Sequence, residues 1–455
     1  MPHRILRQQI ARPVLQICKE LRNSGERAWV VGGCVRDTLR GEVVNDWDVA
    51  TTARPEKVQK TFRRVVPTGI DHGTVTVVWQ GRGYEVTTLR GEGAYSDGRR
   101  PDNVVFVGDI DQDLARRDFT VNAIAYDPVD GQVVDPFGGI QDMRNNVLRA
   151  VGDPKERFQE DGLRILRGAR FVATLEFELE AATEAAFRGA LDTFRKVSPE
   201  RVREEWLKAM KARVPSRAFE VMRRTGILEV TYPELLEQVG CEQNRWHAYD
   251  VWGHTMRVLD ESEVDPIERV AALLHDVAKP RTRAFSDKTK DWTFYHHETV
   301  GADMADRWLR DYRFSNSERE LITGLIRHHL ICYSSEWTDA AVRRFIKRVG
   351  RDHIDPLLRL GEADAIGKGR EVERELAALE ELRGRIDQEL ETGGALTTRD
   401  LAIGGHDVIA LLDGSAGPAV GKILRALLEK VIDDPSLNTR DKLMPLAKEL
   451  ANEQR

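Results

Sequence analysis

The chain has 455 residues and a formal net charge of −6, with 41% hydrophobic and 32% charged residues. These values are typical of a globular protein with several domains and argue against a polycation that binds nucleic acid through its overall charge. No apolar run reaches the length of a membrane span, and the first residues lack the apolar core of a signal peptide. Four cysteines without C-x-x-C spacing, Cys18, Cys34, Cys241 and Cys332, favour a cytoplasmic location over a disulfide scaffold or a zinc–thiolate site.

The first 150 residues combine helix and strand signals. An amphipathic helix is predicted over residues 5–22, and strands follow at residues 28–31, 47–51, 74–79 and 84–88. From about residue 154 the strand signals stop and helical periodicity takes over. The predicted fold class is therefore α+β, with a small α/β head followed by an all-helical remainder.

A two-glycine turn and a pair of aspartates are the first chemical signals in the chain. Gly32 and Gly33 follow the first predicted strand, and glycines there let main-chain N–H groups approach a phosphate. Asp46 and Asp48 lie at positions i and i+2 of the next strand, so they project from one face, with Trp47 on the other. Two adjacent like charges favour a cation between them.

The aspartate pair alone is weak evidence, because D-x-D is common on edge strands. The preceding two-glycine turn strengthens it, and Glu85 on a later strand is the expected third carboxylate. Oxygen ligands beside a phosphate-binding turn predict a site for Mg²⁺ and a nucleoside triphosphate.

Four further motifs follow in the chain and carry a family resemblance. After residues 32–37 (G-G-C-V-R-D) with the D-x-D pair come R-R-D-F-T-V-N-A at 116–123, D-P-F-G-G at 135–139, E-D-G-L-R-I-L-R at 160–167 with Arg170 and Phe171, and S-P-E-R-V at 198–202 with Glu204 and Glu205. In this order they resemble the motifs of the class II tRNA nucleotidyltransferase and bacterial poly(A) polymerase family. The resemblance implies a polymerase-beta-like nucleotidyltransferase head.

The resemblance also implies a reaction and a set of site residues. A tRNA 3′-hydroxyl would attack the α-phosphate of CTP or ATP, with Asp46, Asp48 and Glu85 as the catalytic, Mg²⁺-binding carboxylates of a two-metal site. The nucleotide-binding residues expected are Gly32, Gly33, Arg36, Arg116, Arg117, Asp118, Asp161, Arg164, Arg167 and Arg170. Arginines match phosphate oxygens with a rigid fork, and Asp118 would anchor one of Arg36, Arg116 and Arg117 or contact the ribose. Phe119, Phe137 and Phe171 are expected in the core.

Asp161 and Arg164 form the motif that would select the base. At i and i+3 they are expected to share a helix face. A carboxylate accepts from the exocyclic amino group of cytosine or adenine while a guanidinium donates to the ring acceptor beside it, and guanine and uracil present the opposite order. Such a pair would accept C and A without a nucleic-acid template. An ordinary helix salt bridge is the alternative.

Residues 247–364 hold most of the histidines. The order of His254, His275-Asp276 and Asp364 resembles the HD metal-dependent phosphohydrolase superfamily. The resemblance implies one divalent ion bound by these four side chains, and imidazole with carboxylate suits Ni²⁺, Mn²⁺ or Fe²⁺. Such an ion would supply a hydroxide for phosphoester hydrolysis, although a purely structural metal is the alternative. Also in this region are His247, His296, His297, His328 and His329.

The predicted domains are a head at 1–150, a helical neck and body with the nucleotide-selecting motif at 151–245, an HD domain at 246–370 and a helical tail at 371–455. Gly404-Gly405 and Gly417–Gly421 in the tail resemble class II enzymes, and their turns would present N–H groups to tRNA phosphates. Helix capping explains these glycines equally well. A basic stripe or a solvated helix face would account for Lys422, Arg425, Lys430, Arg440 and Lys442.

The favoured function is CCA addition to tRNA from CTP and ATP, with HD phosphodiesterase or phosphatase activity beside it and no membrane partner. The loop at 90–101 resembles the full-length flexible loop of the family, which disfavours an enzyme that adds only CC. An A-adding enzyme that works with a CC-adding partner is the closest alternative, followed by a poly(A) polymerase. From another class, the head would be a nucleotide sensor regulating an HD phosphohydrolase.

Overall fold

In the computed structural model of the protein, residues 6, 8–91, 105–391, 393–412 and 417–453 are described. The chain divides into two compact units, Met1–Pro233 and Glu234–Arg455. The loop expected at residues 90–101 lies mostly outside the described residues, as does Gly414 in the tail.

The first unit contains a mixed sheet near its beginning. Its strands are β1 (Ala28–Val31), β2 (Asp48–Thr51), β3 (Val65–Gly69), β4 (Thr74–Trp79), β5 (Arg82–Thr88), β6 (Ala125–Asp127) and β7 (Gln132–Val134). In the described residues they form one seven-stranded sheet with the order β3-β4-β5-β2-β1-β6-β7. β2 and β5 run parallel, whereas the other neighbours run antiparallel. β4 and β5 form a hairpin, with Gln80 and Gly81 as its turn.

Helices cover the sheet and then make up the rest of the first unit. They are α1 (Arg12–Asn23), α2 (Gly33–Arg40), α3 (Pro55–Thr61), α4 (Ile110–Ala115), α5 (Gly139–Arg144), α6 (Pro154–Glu160), α7 (Leu163–Leu175), α8 (Ala181–Phe187), α9 (Leu191–Phe194), α10 (Pro199–Ala209), α11 (Ser216–Thr225) and α12 (Ile227–Thr231). A two-residue strand pair, β8 (Val147–Leu148) and β9 (Glu178–Leu179), lies among them. Single 3₁₀ turns occur at Ile70–His72, Thr120–Asn122 and Arg188–Ala190.

Alternate residues of the central strands enter two different core clusters. Val30, Val49 and Val86 belong to one cluster, while Trp29 and Ala50 belong to the other. Because successive strand residues point to opposite faces, this sheet is covered on both sides. β2 and β5 are neighbours inside this sheet, and their register places polar residues Asp48 and Glu85 side by side.

The second unit begins with a helical bundle that carries a small hairpin. Its elements are α13 (Val251–Glu261), α14 (Pro266–Leu274), α15 (Lys279–Thr282), β10 (Ala284–Ser286), β11 (Asp291–Thr293), α16 (His297–Asp311), α17 (Asn316–His328), α18 (Asp339–Val349), α19 (Ile354–Lys368) and α20 (Val372–Glu391). A 3₁₀ turn, Arg351–His353, precedes α19, and another, Pro233–Gln238, spans the boundary between the units.

The tail has a hydrophobic cluster of its own. Its helices are α21 (Gly405–Leu411), α22 (Pro418–Asp433) and α23 (Arg440–Glu453), with a 3₁₀ turn at Pro435–Leu437. Apolar residues from Ala395 to Ala451, including Leu427 and Leu443, form the cluster. None of the described helices in either unit combines the length and apolarity needed to cross a membrane. The predicted fold class, a small α/β head followed by helices, is confirmed.

Candidate active site and metal centre

Three predicted carboxylates line one cleft beside strands β2 and β5. Asp48 opens β2, and Glu85 is its register partner on the parallel strand β5. Asp46 lies just before β2, which starts one residue later than the predicted strand, and lines the same cleft. Trp47 between the two aspartates is buried in the core, as expected from strand alternation. Burial raises the pKa of the Asp48 carboxyl, and the charges of Asp46 and Glu85 raise it further.

Burial and the nearby like charges both disfavour the ionised form of Asp48, and a cation bound there would favour it. Carboxylate oxygens are the ligands that Mg²⁺ prefers, so the three side chains fit a magnesium site. The register of one parallel strand pair thus brings the carboxylates together from positions far apart in the sequence.

The two-glycine turn has a specific steric role. Gly32 has a φ of +78°, and a Cβ placed on it would lie 2.7 Å from Nη1 of Arg117. Gly33 then opens α2. A side chain at residue 32 would therefore strain the backbone and also displace an arginine of the cleft.

The cleft has a volume of about 720 Å³ and a strongly basic lining. Eight arginines contribute to it, namely Arg36, Arg90, Arg116, Arg117, Arg164, Arg167, Arg170 and Arg201. All six arginines predicted to bind nucleotide are thus brought together with the three carboxylates. The combination of carboxylates on one side and guanidinium groups around them suits a metal-bound polyphosphate.

Buried carboxylates hold these arginines in place. Asp113 at the end of α4 lies 2.9 Å from Nη2 of Arg116 and 3.1 Å from Nη2 of Arg117. Burial raises the pKa of Asp113, but the charges of Arg117 and Arg116 outweigh burial. The pKa of Asp113 therefore lies below its ordinary value. Asp113 was not among the predicted site residues, although its spacing of three and four residues from two arginines is a recognisable helix signal.

Asp118 and Glu205 hold a second pair of arginines. Asp118 lies 2.8 Å from Arg167, and the pKa of its carboxyl is lowered, because Arg167 and Asn122 outweigh the effect of burial. Glu205 lies 2.6 Å from Nε of Arg170. Asp118 therefore anchors Arg167. One of its two predicted roles was to anchor Arg36, Arg116 or Arg117 instead.

Phe171 lies among the arginines as well as in the core. It is almost fully buried, as predicted, but the guanidinium carbons of Arg170, Arg36 and Arg167 lie 3.9, 5.3 and 5.4 Å from its ring centre. Arg36 also donates hydrogen bonds to Asp37 and Asn122. The ring thus supports one wall of the cleft.

The predicted shared helix face of Asp161 and Arg164 is wrong. Asp161 lies in the link between α6 and α7, where its Oδ1 accepts a hydrogen bond from the main-chain N–H of Leu163. Arg164 is in the first turn of α7 and pairs with Glu160, while Asp161 pairs with Arg201 at 2.8 Å. The two side chains nevertheless line the same cleft without pairing with each other.

The four predicted HD ligands also come together, in the second unit. Nε2 of His254 lies 3.1 Å from Nε2 of His275 and 3.1 Å from Oδ1 of Asp364. Nε2 of His275 lies 3.1 Å from Oδ2 of Asp276. All four side chains are buried. Nitrogens of His254 and His275 and a carboxylate oxygen of Asp276 converge on one point, and Asp364 adjoins His254. This donor set fits a divalent cation.

Charge near the HD cluster is arranged in favour of a cation. Burial lowers the pKa of His275, but the charges of Asp276 and Asp364 outweigh it and raise the pKa to about 10. Lys279 lies 2.6 Å from Oδ2 of Asp276, and Lys368 lies 3.0 Å from Oδ2 of Asp364. The carboxylates therefore favour positive charge at this point, whether it is carried by protons or by a metal ion.

Three family models match successive parts of the chain. Residues 28–149 match the poly A polymerase head domain, residues 176–238 match the probable RNA and SrmB-binding site of polymerase A, and residues 247–366 match the HD domain. The CCA-adding enzyme of Levilactobacillus brevis is 33% identical over 96% of this chain and 96% of its own length. The chain belongs to the CCA-adding enzyme family.

Other relatives agree with this assignment. The CCA-adding enzyme of Lactobacillus helveticus is 47% identical over 48% of this chain, and the matched part spans about half (54%) of that relative's length. The crystal structure of the Bacillus stearothermophilus CCA-adding enzyme in complex with CTP is 27% identical, with a TM-score of 0.72 over 98% of this chain and 99% of that one. The predicted family and the predicted enzyme class, a nucleotidyltransferase, are confirmed.

Replacement of Gly32 by Ala tests the steric role of the two-glycine turn. We expect Gly32→Ala to lower the free energy of unfolding by about 1–3 kcal/mol, because a non-glycine residue there is strained and Arg117 must also move. Chemical unfolding followed by tryptophan fluorescence measures the change.

Gly25→Ala is the matched control for this substitution. Gly25 also has a positive φ, +91°, but nothing lies within 4 Å of a Cβ built on it. The control should therefore report backbone strain alone. Equal losses in the two variants would contradict the contact with Arg117.

Proposed function

We propose that the protein is a template-independent tRNA nucleotidyltransferase that adds C, C and A to tRNA 3′ ends, with CTP and ATP as substrates. The observation that carries this proposal is the single cleft that combines Asp46, Asp48 and Glu85 with a wall of arginines. Relatives named CCA-adding enzymes, one aligned over nearly the full chain, support the choice of CCA over A alone. The four free cysteines, three of them buried, support a cytoplasmic location.

In the proposed reaction, Asp46, Asp48 and Glu85 would hold Mg²⁺, which neutralises charge on the triphosphate and on the attacking 3′-oxygen when bound. Arg116 and Arg117, fixed by Asp113, would bind triphosphate oxygens. The 3′-hydroxyl of tRNA would then form a bond to the α-phosphorus, and pyrophosphate would leave. Positioning and charge stabilisation are the main contributions that a protein makes to such a transfer.

Asp161 and Arg164 are proposed to select the base. Their separate partners hold each side chain in place without using all of its hydrogen-bonding groups. In the described residues Arg164 uses three of its N–H groups, on Glu160 and on the main-chain carbonyls of Arg157 and Arg116. A guanidinium has five such groups, and a carboxylate accepts about four hydrogen bonds. Both side chains therefore retain capacity for the edge of cytosine or adenine.

The tail is proposed to contact tRNA. Five of its basic residues, Lys422, Arg425, Lys430, Arg440 and Lys442, are exposed. Some of this charge is already used, since Arg440 lies 2.6 Å from Asp407, which also accepts from the main-chain N–H of Gly404. That hydrogen bond supports helix capping as the role of Gly404, and the remaining basic residues would bind phosphates.

A second activity, phosphoester hydrolysis in the HD region, is favoured by one observation. His254, His275 and Asp276 converge on one point in the described structure, with Asp364 3.1 Å from His254, and this buried imidazole–carboxylate set suits Ni²⁺, Mn²⁺ or Fe²⁺. Such an ion supplies a hydroxide at neutral pH when bound. A phosphodiesterase or phosphatase activity is therefore proposed beside nucleotide addition.

Stepwise addition to three tRNAs tests the nucleotide specificity. The tRNAs end before CCA, after the first C and after CC, and each is incubated with CTP or ATP alone or with both. We expect C on the first two tRNAs, A on the third, and completion of all three with both nucleotides.

Each other outcome of this assay points to a different enzyme. Addition of A to the third tRNA without any addition of C would identify an A-adding enzyme. Long A tracts on any RNA would identify a poly(A) polymerase. No addition at all, with HD hydrolysis intact, would favour the nucleotide-sensing head.

Asp161→Asn tests base selection. An amide offers an N–H group where the carboxylate only accepts, so it can pair with the O4 of uracil. We expect the ratio of UTP to CTP incorporation to rise by about 10- to 100-fold, corresponding to roughly 1–3 kcal/mol. Asp192→Asn, at a fully exposed side chain on α9, is the matched control. An unchanged ratio in Asp161→Asn would contradict the selecting role.

Separate inactivation tests whether the two activities use different sites. Asp46→Asn should slow nucleotide addition by about a hundredfold or more, since several kcal/mol of charge stabilisation depend on the metal, and should leave Ni²⁺-dependent hydrolysis of bis(p-nitrophenyl) phosphate intact. Asp276→Asn should have the reverse effect, with exposed Asp287→Asn as its control. Loss of both activities in either variant would refute the two-site assignment.

A further inference from the structure

Asp161 and Arg164 have opposite charges, lie three residues apart and line one cleft, yet in the described structure they do not pair with each other. Side chains of opposite charge at this spacing commonly form an ion pair. Such a pair would occupy the groups that the cytosine or adenine base needs. A competing partner is therefore required to keep the two side chains apart.

Arg201 is the competing partner of Asp161. Its Nη2 lies 2.8 Å from Oδ2 of Asp161, and it joins α10 to the link that precedes α7. The other oxygen, Oδ1, accepts a hydrogen bond of 3.0 Å from the main-chain N–H of Leu163. Both oxygens are thus fixed in direction, and each keeps a lone pair for another donor because a carboxylate accepts about four hydrogen bonds.

The stability of α10 does not explain an arginine at this position. Arg201 is the third residue of that helix, where the partial positive charge of the helix N-terminus makes a cation unfavourable. Among the described residues its side chain pairs only with Asp161, and its Nη1 is buried without a partner. Departures from local rules of this kind are expected at functional sites.

Arg164 is held from its own side. Its Nη1 donates to Glu160 and to the main-chain carbonyl of Arg157, and its Nη2 donates to the carbonyl of Arg116. The side chain is only 9% exposed, so it has little freedom to turn towards Asp161. The mobile member of the two is therefore Asp161, and Arg201 is what restrains it.

We infer that Arg201 is a positioning residue for base selection, which holds the Asp161 carboxylate away from Arg164. This role rests on the proposed function and adds to it a residue outside the predicted base-selecting motif. Without Arg201, Asp161 would pair with Arg164, and the carboxylate and the guanidinium would both lose groups that the base uses. The use of CTP and ATP would then fall, whereas the use of UTP, which does not match this pair, would change little.

Arg201→Gln in the full chain tests this role. CTP and UTP are supplied separately to a tRNA that ends before CCA, ATP is supplied to one that ends after CC, and kcat/KM is measured for each nucleotide. We expect the ratio of UTP to CTP incorporation to rise about tenfold, the effect of losing one charge-assisted hydrogen bond. A defect of folding alone would lower the use of all three nucleotides equally and leave the ratio unchanged.

Arg195→Gln is the matched control. Arg195 is an exposed arginine that lies 3.7 Å from the fully exposed Asp192, and its replacement should leave the ratio unchanged. Far-ultraviolet circular dichroism shows whether each variant keeps its helices. If Arg201→Gln unfolds, Arg201→Lys replaces it and should raise the ratio about threefold, because an ammonium keeps the charge but not the fork of the guanidinium.

A double variant shows whether Arg201 acts through Asp161. Arg201→Gln added to Asp161→Asn should raise the ratio by less than about twofold, since two residues that act through one interaction have non-additive effects. A further rise equal to that of Arg201→Gln alone would mean independent action and would overturn the positioning role.

The outcomes separate the role of Arg201 from the proposed function. An unchanged ratio in Arg201→Gln, or an equal loss for all three nucleotides, would overturn the role of Arg201 while a raised ratio in Asp161→Asn kept base selection intact. An unchanged ratio in both single variants would overturn base selection by Asp161 and the role of Arg201 together. No incorporation of C by the unmodified chain would overturn the proposed CCA addition itself.

Discussion

Electrostatic repulsion between closely placed acceptors is the constraint on which both candidate sites depend. In the head, the parallel pairing of β2 and β5 sets Asp48 opposite Glu85, and Asp46 lines the same cleft. In the second unit, helix ends bring imidazole nitrogens and carboxylate oxygens to within about the distance of a hydrogen bond. The like charges of the head oppose folding, whereas the carboxylates of the second unit are compensated by Lys279, Lys368 and His275, whose pKa they raise. The fold maintains them through its hydrophobic clusters, and a cation is what each arrangement favours.

The arginines of the cleft repel one another, and buried carboxylates of the head offset this repulsion. Asp113, Asp118 and Glu205 are almost fully buried, and each pairs with one or two guanidinium groups of the cleft. Paired charges of this kind contribute less to net stability than to geometry, because desolvation offsets most of the attraction. Their value lies in fixing the direction of each guanidinium before an anion arrives, which reduces the entropy lost on binding.

The sequence predicted those parts of the sites that depend on local periodicity or on motifs. Strand alternation was sufficient to place Asp46 and Asp48 on one side and Trp47 in the core. Helix spacing failed at Asp161, because the helix ends there and the Asp161 side chain instead accepts a hydrogen bond from the main-chain N–H of Leu163. The pairing of Asp161 with Arg201 joins residues 40 positions apart, so no local pattern reveals it. In the HD region, His296 and His297 are neighbours in sequence, yet only His297 is buried. That difference follows from the left-handed backbone at His296, with a φ of +64°, and from helix packing.

The hydrogen bonds from the Nδ1 atoms of three histidines also bear on how the second unit responds to loss of metal. His275, His297 and His329 each bond a carbonyl oxygen three residues earlier in the chain. Each ring is therefore oriented by a carbonyl close to it in the chain, and the orientation does not require a bound ion. If a metal ion binds at the HD cluster, chelation would remove it and leave the surrounding helices folded, unlike a zinc finger, which unfolds without its metal. The ion bound there would then follow the metals that the cell makes available.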